Sequence, residues 1–173
     1  MKKSIIAIAS LAFFFASCGG GSETPATTET PAATEAPAAE TAAPAETPAT
    51  QEITINAGDD MKFDVTELKA KAGQKIKLTL HHTGKAPVTA MGHNVVFLKM
   101  GTNVDDFAKA AIAAKDNEYV PKDLEGEVIA HTKTIGGGES TTIEFTAPEA
   151  GVYDYICSFP GHHGTMHGTL TVE

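Results

Sequence analysis

Near the C-terminus a thiol, an imidazole and a thioether stand at C-x4-H-x3-M spacing. They are Cys157, His162 and Met166 of Cys157-Ser158-Phe159-Pro160-Gly161-His162-His163-Gly164-Thr165-Met166. On a straight strand successive side chains alternate faces, so Cys157 and His162 would point in opposite directions. Pro160 and Gly161 make a loop of the segment instead, and a loop can turn all three side chains toward one point. The fold must therefore deliver a short, bent connection close to its end. Two soft sulfur donors and one imidazole make a metal-ligating set that still needs a nitrogen. Upstream, Met91-Gly92-His93-Asn94 offers one in His93.

The first third of the chain cannot belong to that fold. Lys2 and Lys3 precede an apolar run from Ile5 to Phe15 that is too short to span a bilayer. Ala16 and Ser17 then lead into Cys18, so residues 1–17 read as an export signal of the lipoprotein type, with Cys18 as the lipidated end of the mature chain. Phe15 departs from the aliphatic residue usual three positions before such a cysteine. Residues 18–52 are Ala, Thr, Pro and Glu without any apolar period, so they bury nothing to offset chain entropy. Their prolines favour extended conformations of about 3.1 Å per residue, a tether reaching on the order of 100 Å. The expected location is the periplasmic or cell-surface face of a membrane, anchored by lipid at Cys18.

From residue 53 the texture changes to short β-like runs. Lys75-Ile76-Lys77-Leu78-Thr79-Leu80 alternates, which places His82 on the face of Ile76, Leu78 and Leu80. Val95–Lys99, Val128–His131, Thr141–Phe145, Val152–Cys157 and Thr169–Val172 follow, with Gly-rich turns between many of them. Short strands with such turns imply an all-β sandwich of Greek-key type over 53–173. Val104, Phe107, Ala108, Ala111 and Ile112 fall instead at helical spacing. They predict one inserted helix around 103–115, capped by Thr102 or Asn103, with Phe107 and Ile112 packing inward.

Three segments together resemble the azurins, which are cupredoxins: Met91-Gly92-His93-Asn94, Val128-Ile129-Ala130-His131-Thr132-Lys133, and Cys157-x-Phe159-Pro160-Gly161-His162-x3-Met166-x-Gly168-Thr169-Leu170. The donor chemistry points the same way. Thiolate and thioether suit Cu(I), imidazole suits both copper states, and two His, one Cys and a distant Met make a blue-copper site. The expected cofactor is one copper ion held by His93, Cys157, His162 and Met166. The resemblance adds the Gly92 carbonyl as a weak axial group opposite Met166. It also implies that Asn94 pins the ligand segments together and that the N–H groups of Asn94 and Phe159 face the Cys157 sulfur. An apolar surface around His162 that includes Met91, Phe159 and Pro160 is the implied docking face.

Three features need separate readings. His82 resembles a partly buried family histidine near the site, and His131 an exposed, non-ligating one. His163 and His167 depart from the family pattern and read as solvated surface, a weak extra metal site or a pH-sensitive partner surface. The disulfide usual in azurins has no counterpart at Lys71-Ala72-Gly73-Gln74, so stability should rest on packing and metal.

These observations favour a one-electron carrier over an enzyme, since no general base pair or second copper motif is present. The expected partners are redox proteins such as a c-type cytochrome or a terminal reductase or oxidase. A copper-delivery role is the alternative. The chain has 173 residues, a formal charge of −9 and no arginine, which excludes the basic stripe of a nucleic-acid binder. A monomer is expected.

Overall fold

A computed structural model describes residues 49–173. The expected export signal, Cys18 and nearly all of the linker lie outside the described residues. Two sheets face each other. One has the order β1 (Gln51–Ala57), β3 (Lys75–His82), β6 (Ser140–Thr146). The other has the order β2 (Glu67–Ala70), β8 (His167–Val172), β7 (Gly151–Ile156), β4 (Val96–Leu98), β5 (Val128–His131). β1 pairs parallel to β3 and β2 parallel to β8; the other pairings are antiparallel. This is the all-β sandwich that the alternating runs imply. Its first strand begins at Gln51, two positions before the expected boundary.

The alternation fixes which side chains enter the core. Ile76, Leu78, Leu80 and His82 are buried along β3 while their neighbours face outward. Ile76, Leu78 and Leu80 share one core with Leu170 and Val172 of β8 and Tyr155 of β7. Phe97 stands between Phe145 and Tyr155 at ring distances of 4.9 and 5.3 Å, offset tilted contacts that aromatic rings favour. Tyr155 donates its hydroxyl to the Val65 carbonyl at 2.6 Å, which lets a phenol lie in the core.

β4 is buried on both faces. Its outer face, Val96 and Leu98, joins Ile156 beneath Phe107 and Val120. Phe107 comes from the inserted helix, here α2 (Val104–Ala111); a short α1 (Val88–Met91) precedes β4. α2 starts where Asn103 accepts a hydrogen bond from the Asp106 N–H at 3.1 Å, and Asp105 and Asp106 sit in its first turn. It is shorter than the span 103–115. Ile112 is its C-cap and is 59 % exposed, so the inward packing expected of Ile112 is wrong. The helix ends before Ile112, and Ala111 turns inward in its place. The chain then continues through 3-10 turns at Lys115–Asn117 and Lys122–Glu127.

Candidate metal centre

The centre is built at one end of the β4–β7 ladder. Val96 pairs with Ile156. Two positions further along the same antiparallel register, Asn94 meets Ser158. The Asn94 side chain accepts from the Ser158 N–H at 2.8 Å and donates to the Ser158 hydroxyl at 2.9 Å and the Glu118 carbonyl at 2.7 Å. The residue before it, His93, exchanges both backbone hydrogen bonds with Ile135, at 3.0 and 2.9 Å. Beyond Cys157 the loop turns at Gly161, whose φ of 84° suits a residue without Cβ. His162 donates its N–H to the Phe159 carbonyl, and the Cys157 N–H reaches the Met166 carbonyl at 2.9 Å, closing the loop on itself.

This scaffold brings His93, Cys157 and His162 together. One donor atom from each lies within 4.8 Å of the others. The His162 Nδ1 is 3.7 Å from the Cys157 sulfur. His93 and Cys157 are fully buried and His162 is 3 % exposed. Met166 is fully buried in the same core as Cys157 and Phe159. The Gly92 carbonyl lies 4.0 Å from the sulfur. A Cβ at Gly92 would stand 2.7 Å from the Val88 carbonyl oxygen and 2.8 Å from the Phe159 ring, so this position excludes any side chain.

The protonation states match a cation. The His93 Nε2–H donates to the Gly58 carbonyl at 2.9 Å, which leaves its Nδ1 bearing the lone pair. That Nδ1 is buried and has no hydrogen-bond partner, the one such side-chain nitrogen or oxygen among the described residues. Burial lowers the pKa of His93, and it lowers that of His162 to about 4, so both rings stay neutral and able to ligate. Burial pushes the Cys157 thiol up to about 12, opposed by the backbone N–H groups of Asn94 and Phe159. Those donors are aimed at negative charge on the sulfur. An orphaned nitrogen, a second neutral imidazole and a thiol with N–H donors turned toward it fit a borderline or soft cation that displaces the thiol proton.

The remaining histidines separate. His82 is fully buried; its Nε2–H donates to the Met91 carbonyl at 2.9 Å and its Nδ1 accepts from the Gly84 N–H at 3.0 Å. Its ring stacks on that of His93 at 4.4 Å, packing against it. His131 is exposed at the end of β5. His163 is half-buried and His167 is exposed, both outside the triad. Of the anticipated docking face, Met91 and Pro160 are half-buried, whereas Phe159 is 8 % exposed.

Sequence reasoning missed four supports. Ser158 and Glu118 are the partners of Asn94, Gly58 fixes the His93 tautomer, and Thr132 accepts the Val95 N–H at 3.0 Å. Ser158 could have been found by extending the β4–β7 register. Gly58 and Glu118 meet the site only through long-range folding and leave no local signal, whereas Thr132 lies in the Val128–Lys133 segment, which does not reveal its bond to Val95.

Comparison with known proteins agrees with this geometry. The model for copper binding proteins of the plastocyanin/azurin family matches residues 49–173. The outer membrane protein H.8 of Neisseria meningitidis serogroup B is 39 % identical over 122 residues, 69 % of this chain but 66 % of that protein, just under two thirds of its length. Azurin-1 of Alcaligenes xylosoxydans xylosoxydans is 38 % identical over 122 residues, 68 % of this chain and 94 % of that protein. Among solved structures, auracyanin A, a "blue" copper protein from Chloroflexus aurantiacus, has a TM-score of 0.66 and 34 % identity over 72 % of this chain and all of that one. With a buried His–Cys–His cluster suited to one copper ion at the end of a two-sheet sandwich, the chain belongs to the plastocyanin/azurin family of blue copper proteins.

Proposed function

We propose that this protein carries single electrons outside the cytoplasm and is not an enzyme. The observation that carries this reading is the sequestered triad, in which three donors converge under almost no solvent exposure and on a scaffold tied by backbone hydrogen bonds. Such a site offers a substrate no open face. Copper bound there supplies a one-electron Cu(II)/Cu(I) couple. His93 Nδ1, His162 Nδ1 and the Cys157 sulfur would hold it, with Met166 and the Gly92 carbonyl as weaker contacts. Asn94 keeps the ligand segments in register, and the N–H groups of Asn94 and Phe159 stabilise the thiolate. A scaffold this constrained resists rearrangement when the charge changes, which keeps the barrier to electron transfer low.

Electrons pass at the His162 end of the molecule, where Met91 and Pro160 give a small, partly apolar contact suited to brief encounters. The partners are redox proteins such as a c-type cytochrome or a terminal reductase or oxidase. Lipid on Cys18 and the Pro-rich tether keep the carrier at a membrane, raising its effective concentration for membrane-bound partners. The H.8 relative is an outer membrane protein, which supports membrane association.

The test is to add Cu(II) to metal-free protein. An intense blue thiolate-to-copper absorption and a narrow copper hyperfine splitting are expected. Cys157→Ser removes the colour, and Met166→Leu keeps it while raising the midpoint potential, because a weak donor to Cu(II) is lost. A colourless wild-type product with ordinary square-planar EPR overturns the assignment. Rapid surrender of copper to a chelator, with no reduction by a c-type cytochrome, would indicate delivery rather than electron transfer.

A further inference from the structure

The loop that carries His162 goes on to place two more imidazoles beside carboxylates on the outer face of the second sheet. We propose that His163, His167 and Asp105 form a second, surface site for a borderline divalent transition-metal cation of the Zn2+ class. The His162 carbonyl accepts from the N–H groups of both Thr165 and Met166, at 3.0 and 2.9 Å, so this segment makes one helical turn. His163 lies in that turn and His167 opens β8 directly after it, and both side chains line the same pocket.

The His167 ring is already oriented. The His167 Nδ1–H donates to the His163 carbonyl at 3.1 Å, which leaves the lone pair on its outer Nε2. The His163 Nε2 lies 3.5 Å from an Asp105 carboxylate oxygen in the first turn of α2. Asp154 enters from β7. Ile156 pairs with His167 and Asp154 with Thr169, so Asp154 is the diagonal neighbour of His167 on the same sheet face. All four polar side chains line one open pocket of about 250 Å³ floored by Val104 and Ile156.

Two imidazoles with one or two carboxylates form a donor set taken by Zn2+ and its neighbours in the first transition row. Ca2+ and Mg2+ prefer all-oxygen shells and gain little from imidazole. The pocket contains no thiol, which separates its chemistry from the Cys157 centre. None of its residues belongs to the triad, so it can fill while that centre is occupied.

The decisive experiment titrates Zn2+ into copper-loaded protein by calorimetry in a non-chelating buffer. The blue absorption is recorded throughout, to verify folding and to show that zinc has not displaced copper. One Zn2+ per chain is expected to bind with the colour unchanged, whereas Ca2+ gives no heat. The double variant His163→Ala/His167→Ala should lose at least about tenfold in affinity, Asp105→Asn should weaken binding less, and His131→Ala should bind as wild type does. Absence of a one-to-one binding event overturns the proposal. So does a blue His163→Ala/His167→Ala protein that takes up Zn2+ as tightly as wild type, or a loss of binding in His131→Ala.

Discussion

His93 is restrained at three points: its backbone N–H, its carbonyl and the far nitrogen of its ring. The Gly58 carbonyl chooses the tautomer, His82 backs the ring, and the remaining lone pair has a single direction to face. A side chain so constrained would owe little to a bound metal for its position. Asn94 plays the same part between segments, and its amide serves Ser158 twice and Glu118 once from a fully buried position. Asn94→Ala leaves the buried Ser158 N–H and hydroxyl, and the half-buried Glu118 carbonyl, without this partner. The two bonds to Ser158 are buried and each such loss costs about 1–3 kcal/mol, so urea denaturation should show a stability loss of roughly 2–6 kcal/mol. The copper-loaded variant should also give a broader EPR spectrum as the two ligand segments loosen. A variant with wild-type stability and an unchanged spectrum would deny Asn94 this role.

Elements were legible in the sequence where one physical signal dominated. The alternation of β3 was plain because one face is core and the other solvent, and the capping residue and acidic first turn marked the start of α2. The end of α2 was not legible. Ile112 continues the helical spacing, but nothing local reveals that the chain leaves the sheet surface one residue earlier. α1 buries none of its residues, so no apolar period announces it. β2 has only four residues and is defined by its parallel pairing with β8, a long-range contact. The two ends of α2 should respond differently to mutation. Asn103→Ala removes the cap and should cost about 0.5–2 kcal/mol. Ile112→Lys should change stability by no more than about 0.5 kcal/mol, where a core isoleucine would cost several. Denaturant midpoints at constant m-value measure both.

For the whole molecule, the site was more legible than its supports. The four expected side-chain ligands stand in two short motifs, whereas Gly58, Glu118 and Thr132 come from segments that only the finished sandwich brings near. Cys157 is a free, buried thiol, so no bridge ties the described residues together. Metal binding should therefore contribute visibly to stability. At a hundredfold excess over its dissociation constant, a ligand specific to the folded state adds about 2.7 kcal/mol. Calorimetric scans should place copper-loaded protein on the order of 10 °C above metal-free protein. Equal transitions would mean that the metal contributes nothing to the native state. The alignment of β4 with β7 has a further consequence. Because the period of a strand is two, sliding one strand by a single residue turns its side chains to the opposite face. Asn94 would then miss Ser158, and His93 and Cys157 would come to face opposite sides. A chain threaded in that way could still collapse into a dense, protease-resistant particle, but it would stay dark when copper is added. Pigment intensity per mole of protein thus measures the fraction of molecules whose strands are correctly aligned, which no measure of compactness alone can supply.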